Sequence, residues 1–135
     1  MKEASPRIFV VCSDLMFSAR IREAGAAHGG VFEFISSAGK FEEAISNLQA
    51  ELLLVDLHHP ALGGPAAEGL IQKLRPDPRS KGAYAMAWGA HTETEMLKSA
   101  ERAGFDKVMP RSAFVKEMPE VVRRAAGRIR SRREG

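Results

Sequence analysis

The sequence predicts a single α/β domain with a five-stranded parallel sheet and helices on both faces. Short β-branched runs alternate with helical patterns five times along the chain, which is typical of a parallel sheet. Four consecutive aliphatic residues at 52–55 indicate a central strand that is buried on both faces. The length of 135 residues matches one domain. We expect a doubly wound (βα)5 domain over 1–126 and a basic tail over 127–135 that can extend the last helix.

The first half of the chain contains three predicted strands and two predicted helices. The strands cover 7–11, 31–35 and 51–56. Asp14 is a typical helix-start residue, and apolar residues at 17, 21 and 24 then recur at helical spacing. After a turn over 36–39, the apolar residues at 41, 44, 45 and 48 lie on one face of the second helix.

The second half repeats the alternation with shorter elements. A loop containing His58 and His59 precedes a third helix with apolar positions from 67 to 74. The fourth and fifth strands are predicted at 84–88 and 107–109. Thr92 and Glu95 have the spacing of a capping box at the start of the fourth helix. Pro119 suits the first position of the fifth helix.

Positive charge is concentrated at the end of the chain. The net charge is +3, but residues 121–135 carry six arginines against one glutamate, so the body is mildly acidic. These arginines are Arg123, Arg124, Arg128, Arg130, Arg132 and Arg133. Such a segment can bind phosphates or an acidic partner, or it can be a solvated terminus. Nucleic acid is the less favoured partner, because the segment lacks aromatic residues for stacking on bases.

The composition indicates a cytoplasmic protein. Cys12 is the only cysteine, so no internal disulfide can form, which fits a reducing compartment. The apolar run near the amino terminus stops at Ser13, too early for a signal-peptide core or a membrane span. No membrane association is therefore expected.

The residues that follow the strands are the candidates for function, because ligands of open α/β sheets bind at the carboxyl ends of the strands. Three short sequence segments, each in the expected strand or helix, resemble the receiver domains of two-component response regulators. These domains form the CheY-like family, which has a flavodoxin-like fold. The three segments are Leu53-Leu-Val-Asp56, Ala103-Gly-Phe-Asp106 and Val108-Met-Pro-Arg111-Ser112. The resemblance extends from about Arg7 to Ala126 and implies a phosphorelay protein.

The resemblance also implies that most of the phosphorylation chemistry is missing. Asp56 matches the aspartate that accepts the phosphoryl group in receivers. Cys12 and Ser13 match the two acidic residues that hold Mg²⁺, and Gly89 matches the Ser or Thr that senses the phosphoryl group. Arg111 matches the lysine that pairs with that group, and Val108 matches an aromatic residue that often changes rotamer. The chain therefore resembles a degenerate receiver, or pseudo-receiver.

Two alternatives concern the charged residues of this site. Asp14 can replace a lost Mg²⁺ ligand and bind the metal with Asp56, or it can cap the first helix, which its position after the strand favours. Arg111 can pair with Asp56 and take the place of the metal, or it can point to solvent. The expected cofactor is therefore none, or weakly bound Mg²⁺, since a thiol and a hydroxyl replace two carboxylates poorly.

Two further motifs have simpler interpretations than catalysis. Cys12 follows a buried strand, so a small core residue is favoured over a reactive thiol near a helix start. Asp56-x-His58 resembles part of a cobalamin motif, but Ala61 stands in place of its glycine and the segment follows the wrong strand. Too few other ligands accompany the histidines for a metal site, so a solvated loop is expected.

The sequence thus predicts a non-enzymatic signalling module that acts by docking. The resemblance implies a protein partner, either a histidine kinase or a downstream effector, or self-association, through residues 92–126. The first alternative is a functional receiver that is phosphorylated on Asp56 with Mg²⁺. The second is binding of nucleic acid or an acidic partner through the arginine-rich tail.

Overall fold

The described part of the chain alternates five strands with five helices. The computed structural model describes residues 7–27 and 29–134, with the side chains of these residues up to Ala125. The strands are β1 Arg7–Val11, β2 Val31–Phe34, β3 Leu52–Asp56, β4 Tyr84–Gly89 and β5 Lys107–Pro110. The helices are α1 Leu15–Ala26, α2 Ala38–Asn47, α3 Ala66–Leu74, α4 Thr94–Ala103 and α5 Arg111–Glu134.

All strand pairs in the sheet are parallel, and the strand order is β2-β1-β3-β4-β5. The predicted α/β class and five-stranded parallel sheet are confirmed. All five residues of β3 are buried, as its aliphatic run indicates. Because β1 is flanked by β2 and β3, the chain winds outward in opposite directions from these central strands. This switch point is where open α/β sheets bind ligands.

The two faces of the sheet support two separate hydrophobic cores. One face is covered by α2, α3 and α4 and is mostly aliphatic. The other is covered by α1 and α5, and it contains a cluster of three aromatic rings. In that cluster Trp88 stacks on Phe114 at 4.0 Å between ring centroids, and Phe17 meets Trp88 edge-on at 5.4 Å. The carboxyl end of β1 lies next to this aromatic cluster, at the edge of the sheet.

Several predicted helix boundaries are wrong, the largest error being at α5. This helix begins at Arg111, so Pro119 lies inside it rather than at its first position. Proline in a helix interior forfeits one backbone hydrogen bond and is normally costly. Burial of Phe114, Met118 and Val122 against the sheet offsets that loss.

Two other helix starts differ from the prediction because of local hydrogen bonds. Ser37 caps α2 by accepting a hydrogen bond from the Lys40 N–H, so the helix begins within the predicted turn. Thr92 does not cap α4. The Glu93 N–H donates to the carbonyl of Ala90, which places Thr92 in a turn ahead of the helix.

The end of α4 requires a glycine. Gly104 has a φ of 110°, in the left-handed region that residues with a Cβ adopt at a cost. Its N–H donates to the carbonyl of Glu101 and directs the chain into β5. No described helix combines the length and apolar character needed to cross a bilayer.

Candidate functional site at the carboxyl edge of the sheet

Six of the predicted site residues lie at the carboxyl edge of the sheet, which we call the rim. They are Cys12, Ser13, Asp14, Asp56, Gly89 and Arg111. Cys12 and Asp14 follow β1, Asp56 and Gly89 end β3 and β4, and Arg111 is the first residue of α5. The parallel register brings Asp56 opposite Trp88 in β4.

Asp56 is buried at the end of the central strand. Only 7% of its surface is exposed. Its Oδ1 accepts a hydrogen bond of 2.9 Å from the backbone N–H of His58. Among the ion pairs of the described residues, none involves this carboxylate. Asp56 is thus nearly buried and held by a neutral donor.

Asp14 is the N-cap of α1, which confirms the favoured alternative. Its Oδ1 accepts a hydrogen bond of 2.9 Å from the Phe17 N–H, and its Oδ2 pairs with Arg111 Nη2 at 2.6 Å. The Phe17 N–H, and then the Arg111 guanidinium, hold the pKa of the Asp14 carboxyl below its usual value. This carboxylate is therefore committed to two partners within the chain.

Neither alternative for Arg111, a pair with Asp56 or a side chain free in solvent, matches the structure, because the guanidinium pairs with Asp14. Since α5 begins at Arg111, the side chain leaves the sheet on the face covered by α1 and α5. Its guanidinium carbon lies 4.6 Å from the centroid of the Phe17 ring. The aromatic cluster below the rim thus positions the only basic residue among the predicted rim residues over α1.

Cys12 and Ser13 supply no carboxylate to the rim. The Cys12 thiol donates to the carbonyl of Asp14 over 3.7 Å, and the side chain packs at the edge of the aromatic core. Burial raises the pKa of the Cys12 thiol, which disfavours the reactive thiolate. The core interpretation of Cys12 is therefore favoured by its surroundings, while Ser13 is exposed.

His58 is a rim residue whose role the sequence did not indicate. Its side chain is exposed, and its ring Nε2 accepts a hydrogen bond of 3.2 Å from the Ala90 N–H. His58 therefore joins the loop after β3 to the loop after β4. Gly89 has no side chain to contribute, although an added Cβ would make only ordinary contacts, the nearest 3.4 Å from Leu97.

The loop that carries His58 is tied down by its own hydrogen bonds. The Nδ1 of buried His59 accepts from the N–H groups of Ala61 and Leu62, both at 3.1 Å. Gly63 lies so close to Leu57 that a Cβ there would sit 2.3 Å from its carbonyl oxygen. The prediction of a solvated loop thus holds for His58, which is exposed. It is wrong for His59, which is buried and hydrogen-bonded within the loop.

The rim fits a Mg²⁺ ion poorly. Magnesium prefers carboxylate and water oxygens in near-octahedral order. The described residues contain no group of three His, Cys, Asp or Glu side chains that could hold a metal. Of the two predicted ligands, Asp14 is already bonded to Arg111 and to the Phe17 N–H. Asp56 is therefore the only predicted ligand that is not in an ion pair with a described residue.

The arginine-rich segment is only partly described. The backbone of α5 continues as a helix to Glu134. Arg123 and Arg124 both pair with Glu120 on the same helix, so part of their charge is neutralised locally. Arg128, Arg130, Arg132 and Arg133 lie beyond the described side chains.

Comparisons with known proteins identify the fold. No protein-family profile and no curated protein matches the sequence. Solved structures do match. A CheY-like receiver domain protein from Methanospirillum hungatei JF-1 superposes with a TM-score of 0.72 at 18% identity, over 98% of this chain and 100% of that one.

Two further structures show the same architecture. The receiver domain of a sensor histidine kinase from Pseudomonas aeruginosa PAO1, with magnesium in its active-site cleft, has a TM-score of 0.72 at 14% identity, over 92% of this chain and 99% of that one. A response regulator from Burkholderia pseudomallei, with a phosphorylated aspartic acid, calcium and citrate, has a TM-score of 0.69 at 15% identity, over 96% and 73%. This chain therefore has the fold of a response-regulator receiver domain.

Proposed function

We propose that this domain is a non-enzymatic signalling module of the receiver type that acts by docking to a protein partner in the cytoplasm. In this proposal the Asp56 pocket is silent toward Mg²⁺ and phosphoryl groups. The observation that carries it is the internal pairing of the rim. Asp14 and Arg111 bind each other, and the Ala90 N–H is bonded to His58.

The electrostatics of the rim support this proposal. Phosphoryl transfer requires cations that neutralise the charge developing on the phosphoryl oxygens. In the described chain the one predicted rim cation, Arg111, is paired with Asp14, and Cys12 and Ser13 provide no carboxylates for a metal. An added phosphoryl group would bring more negative charge beside Asp56 without a free cation to meet it.

Residues 92–126 are the proposed docking surface, for a histidine kinase, an effector or a second copy. Most of α4 is open to solvent, with Ala100 as its one buried residue. Lys107 and Glu117 pair across β5 and α5 at 2.6 Å, which holds these elements together. An open cleft of about 390 Å³ lies between the loop after β4 and the start of α5, lined by His91, Arg111 and Val115 among others.

A titration with Mg²⁺ and then beryllofluoride, a phosphoryl mimic, tests the proposal. The reporters are amide NMR and the fluorescence of Trp88, the only tryptophan, which stacks in the aromatic cluster below the rim. We expect no saturable response at millimolar Mg²⁺. A saturable response that disappears in Asp56→Asn would refute the silent pocket and establish a phosphoacceptor.

The alternative function is a phosphoacceptor receiver that uses Asp56, with weakly bound Mg²⁺. Its support is the position of Asp56, at the end of the central strand with its carboxylate at the rim. Structures of similar fold contain magnesium or a phosphorylated aspartic acid. In this case Asp14 must leave Arg111 to bind the metal, so Arg111→Ala would strengthen Mg²⁺ binding.

The arginine-rich tail offers a second alternative, in which α5 binds nucleic acid or an acidic protein. Its support is the continuation of the α5 helix to Glu134, past the last described buried side chain at Ala125. Truncation of 127–135 would then abolish binding, and affinity would fall steeply with salt. Binding that survives both changes would exclude the tail as the contact.

A further inference from the structure

His58 makes two hydrogen bonds at the rim, one of them to the Asp56 carboxylate. Its backbone N–H donates to Asp56 Oδ1 at 2.9 Å, and its ring Nε2 accepts from the Ala90 N–H at 3.2 Å. The first bond belongs to the backbone and is independent of the side chain. The second depends on the imidazole, which reaches across the rim from the end of β3 to the end of β4.

The Ala90 N–H follows the end of β4, the strand that pairs with β3 beside Asp56. Backbone N–H groups at the carboxyl edge of an α/β sheet commonly bind anions. Gly89 has no side chain that could donate in its place. A hydrogen bond from Leu57 N–H to the carbonyl of Trp88, at 2.9 Å, holds the two strand ends together below this donor. An anion at Asp56 that used this N–H would have to displace the His58 ring.

We propose that the His58 imidazole is an internal ligand of the Ala90 N–H, which it withholds from a phosphoryl-type oxyanion at Asp56. This inference rests on the proposed function, because it names the side chain that closes the pocket. The ring is held ready by its loop, since His59 accepts two backbone N–H groups and Gly63 packs against Leu57. A ligand fixed in advance competes well, because little entropy is lost when it binds.

A matched pair of substitutions separates the hydrogen bond from the bulk of the ring. His58→Phe retains a ring but has no acceptor for the Ala90 N–H, whereas His58→Gln retains an acceptor on a flexible side chain. The side chain is exposed, so both variants are expected to fold. His91→Phe is the control, because His91 is exposed on the loop after β4 and does not bond Ala90.

The experiment is a beryllofluoride titration at constant millimolar Mg²⁺, followed by the amide resonance of Ala90. We expect His58→Phe to bind at least about fivefold more tightly than the native chain, the factor expected for one neutral hydrogen bond. Saturation where the native chain shows none would also meet this expectation. His58→Gln should gain less affinity than His58→Phe, and His91→Phe should match the native chain. The response of His58→Phe should disappear when Asp56→Asn is added.

The outcomes separate this inference from the proposed function. A silent native chain with a responsive His58→Phe supports both. A responsive native chain with a tighter His58→Phe supports the internal ligand and refutes the silent pocket. If His58→Phe behaves like the native chain, whether both respond or neither does, His58 is not an internal competitor. The same conclusion follows if His58→Gln gains as much affinity as His58→Phe.

Discussion

Asp14 and Asp56 follow neighbouring strands at the same edge of the sheet, but their surroundings differ. Asp14 caps α1 and pairs with Arg111, and both side chains of this ion pair are partly exposed, at 39% and 48%. Asp56 is 7% exposed and accepts one backbone hydrogen bond, with no ion pair to another described residue. Arg111 therefore pairs with the more exposed carboxylate, and the buried carboxylate has no described cationic partner.

The aromatic cluster stabilises the Asp14 side of the rim. Phe17 contacts Arg111 from the first turn of α1, and it meets Trp88 and Phe114 in the core. The aromatic cluster, Arg111 and Asp14 thus form one continuous contact from the core to the surface. The Asp56 side depends on the loop of His58 and His59 instead.

The largest effect is expected from Phe17→Ala, which removes the base of the Asp14 side. Phe17 is 4% exposed, so its loss leaves a cavity and should lower the free energy of unfolding by about 3–5 kcal/mol. Urea unfolding with Trp88 fluorescence measures this change. Phe34→Ala is the control, because that ring is only partly buried and packs outside the cluster. Equal losses in the two variants would contradict the special role of the cluster.

The next largest effect is expected from substitutions of the two carboxylates, which should change the stability in opposite directions. Asp56→Asn removes a buried charge that has no cation and keeps an acceptor for the His58 N–H, so we expect stability to rise by about 1 kcal/mol. Asp14→Asn keeps the cap but loses the ion pair with Arg111, so stability should fall slightly. Chemical unfolding of both variants at neutral pH gives the comparison. Changes of the same sign would show that the two carboxylates are equivalent.

A smaller effect is expected at Arg111. Arg111→Lys retains the charge but loses the planar stacking on Phe17, which is worth about 0.5–1 kcal/mol at an exposed site. Arg111→Ala should cost more than Arg111→Lys, since it also removes the partner of Asp14. Thermal unfolding at low and moderate salt distinguishes the two contributions, because salt screens only the ion pair. Identical salt dependence of native chain and Arg111→Ala would argue against a stabilising pair.

The smallest effect is the pH dependence of the Asp14 contribution. Its pKa in the folded chain lies below its usual value, so the contribution is complete above the usual pKa and is lost as pH falls through the folded pKa. The native chain should therefore lose more stability than Asp14→Asn between about pH 5 and acid. Asp77 and Glu120 also have lowered pKa values, and both variants share them, so the difference isolates Asp14. Parallel curves would count against the cap and ion pair.

The sequence predicted the sheet well because its signals are local. The aliphatic run 52–55 and the alternation of elements depend on neighbouring residues, and β3 is buried throughout as expected. The start of α5 was missed because Pro119 is a strong local signal, whereas the packing of Phe114 and Val122 that overrides it is a tertiary effect.

The sequence indicated which residues to expect at the rim, but it did not indicate how they pair. Asp14, Asp56 and Arg111 were all expected at the rim, but their pairing depends on the direction of side chains 97 positions apart in the chain. Which carboxylate receives the guanidinium follows from where α5 begins. The bond from Ala90 to His58 joins two loops, and no spacing in the sequence indicates it.

The most direct test of the silent pocket is phosphoryl transfer itself. The native chain and Asp56→Asn are incubated with Mg²⁺ and acetyl phosphate, a small acyl phosphate donor, and their intact masses are compared over time. We predict that neither chain gains a phosphoryl group. A phosphoryl adduct on the native chain that is absent from Asp56→Asn would contradict the account and show that Asp56 is a working phosphoacceptor.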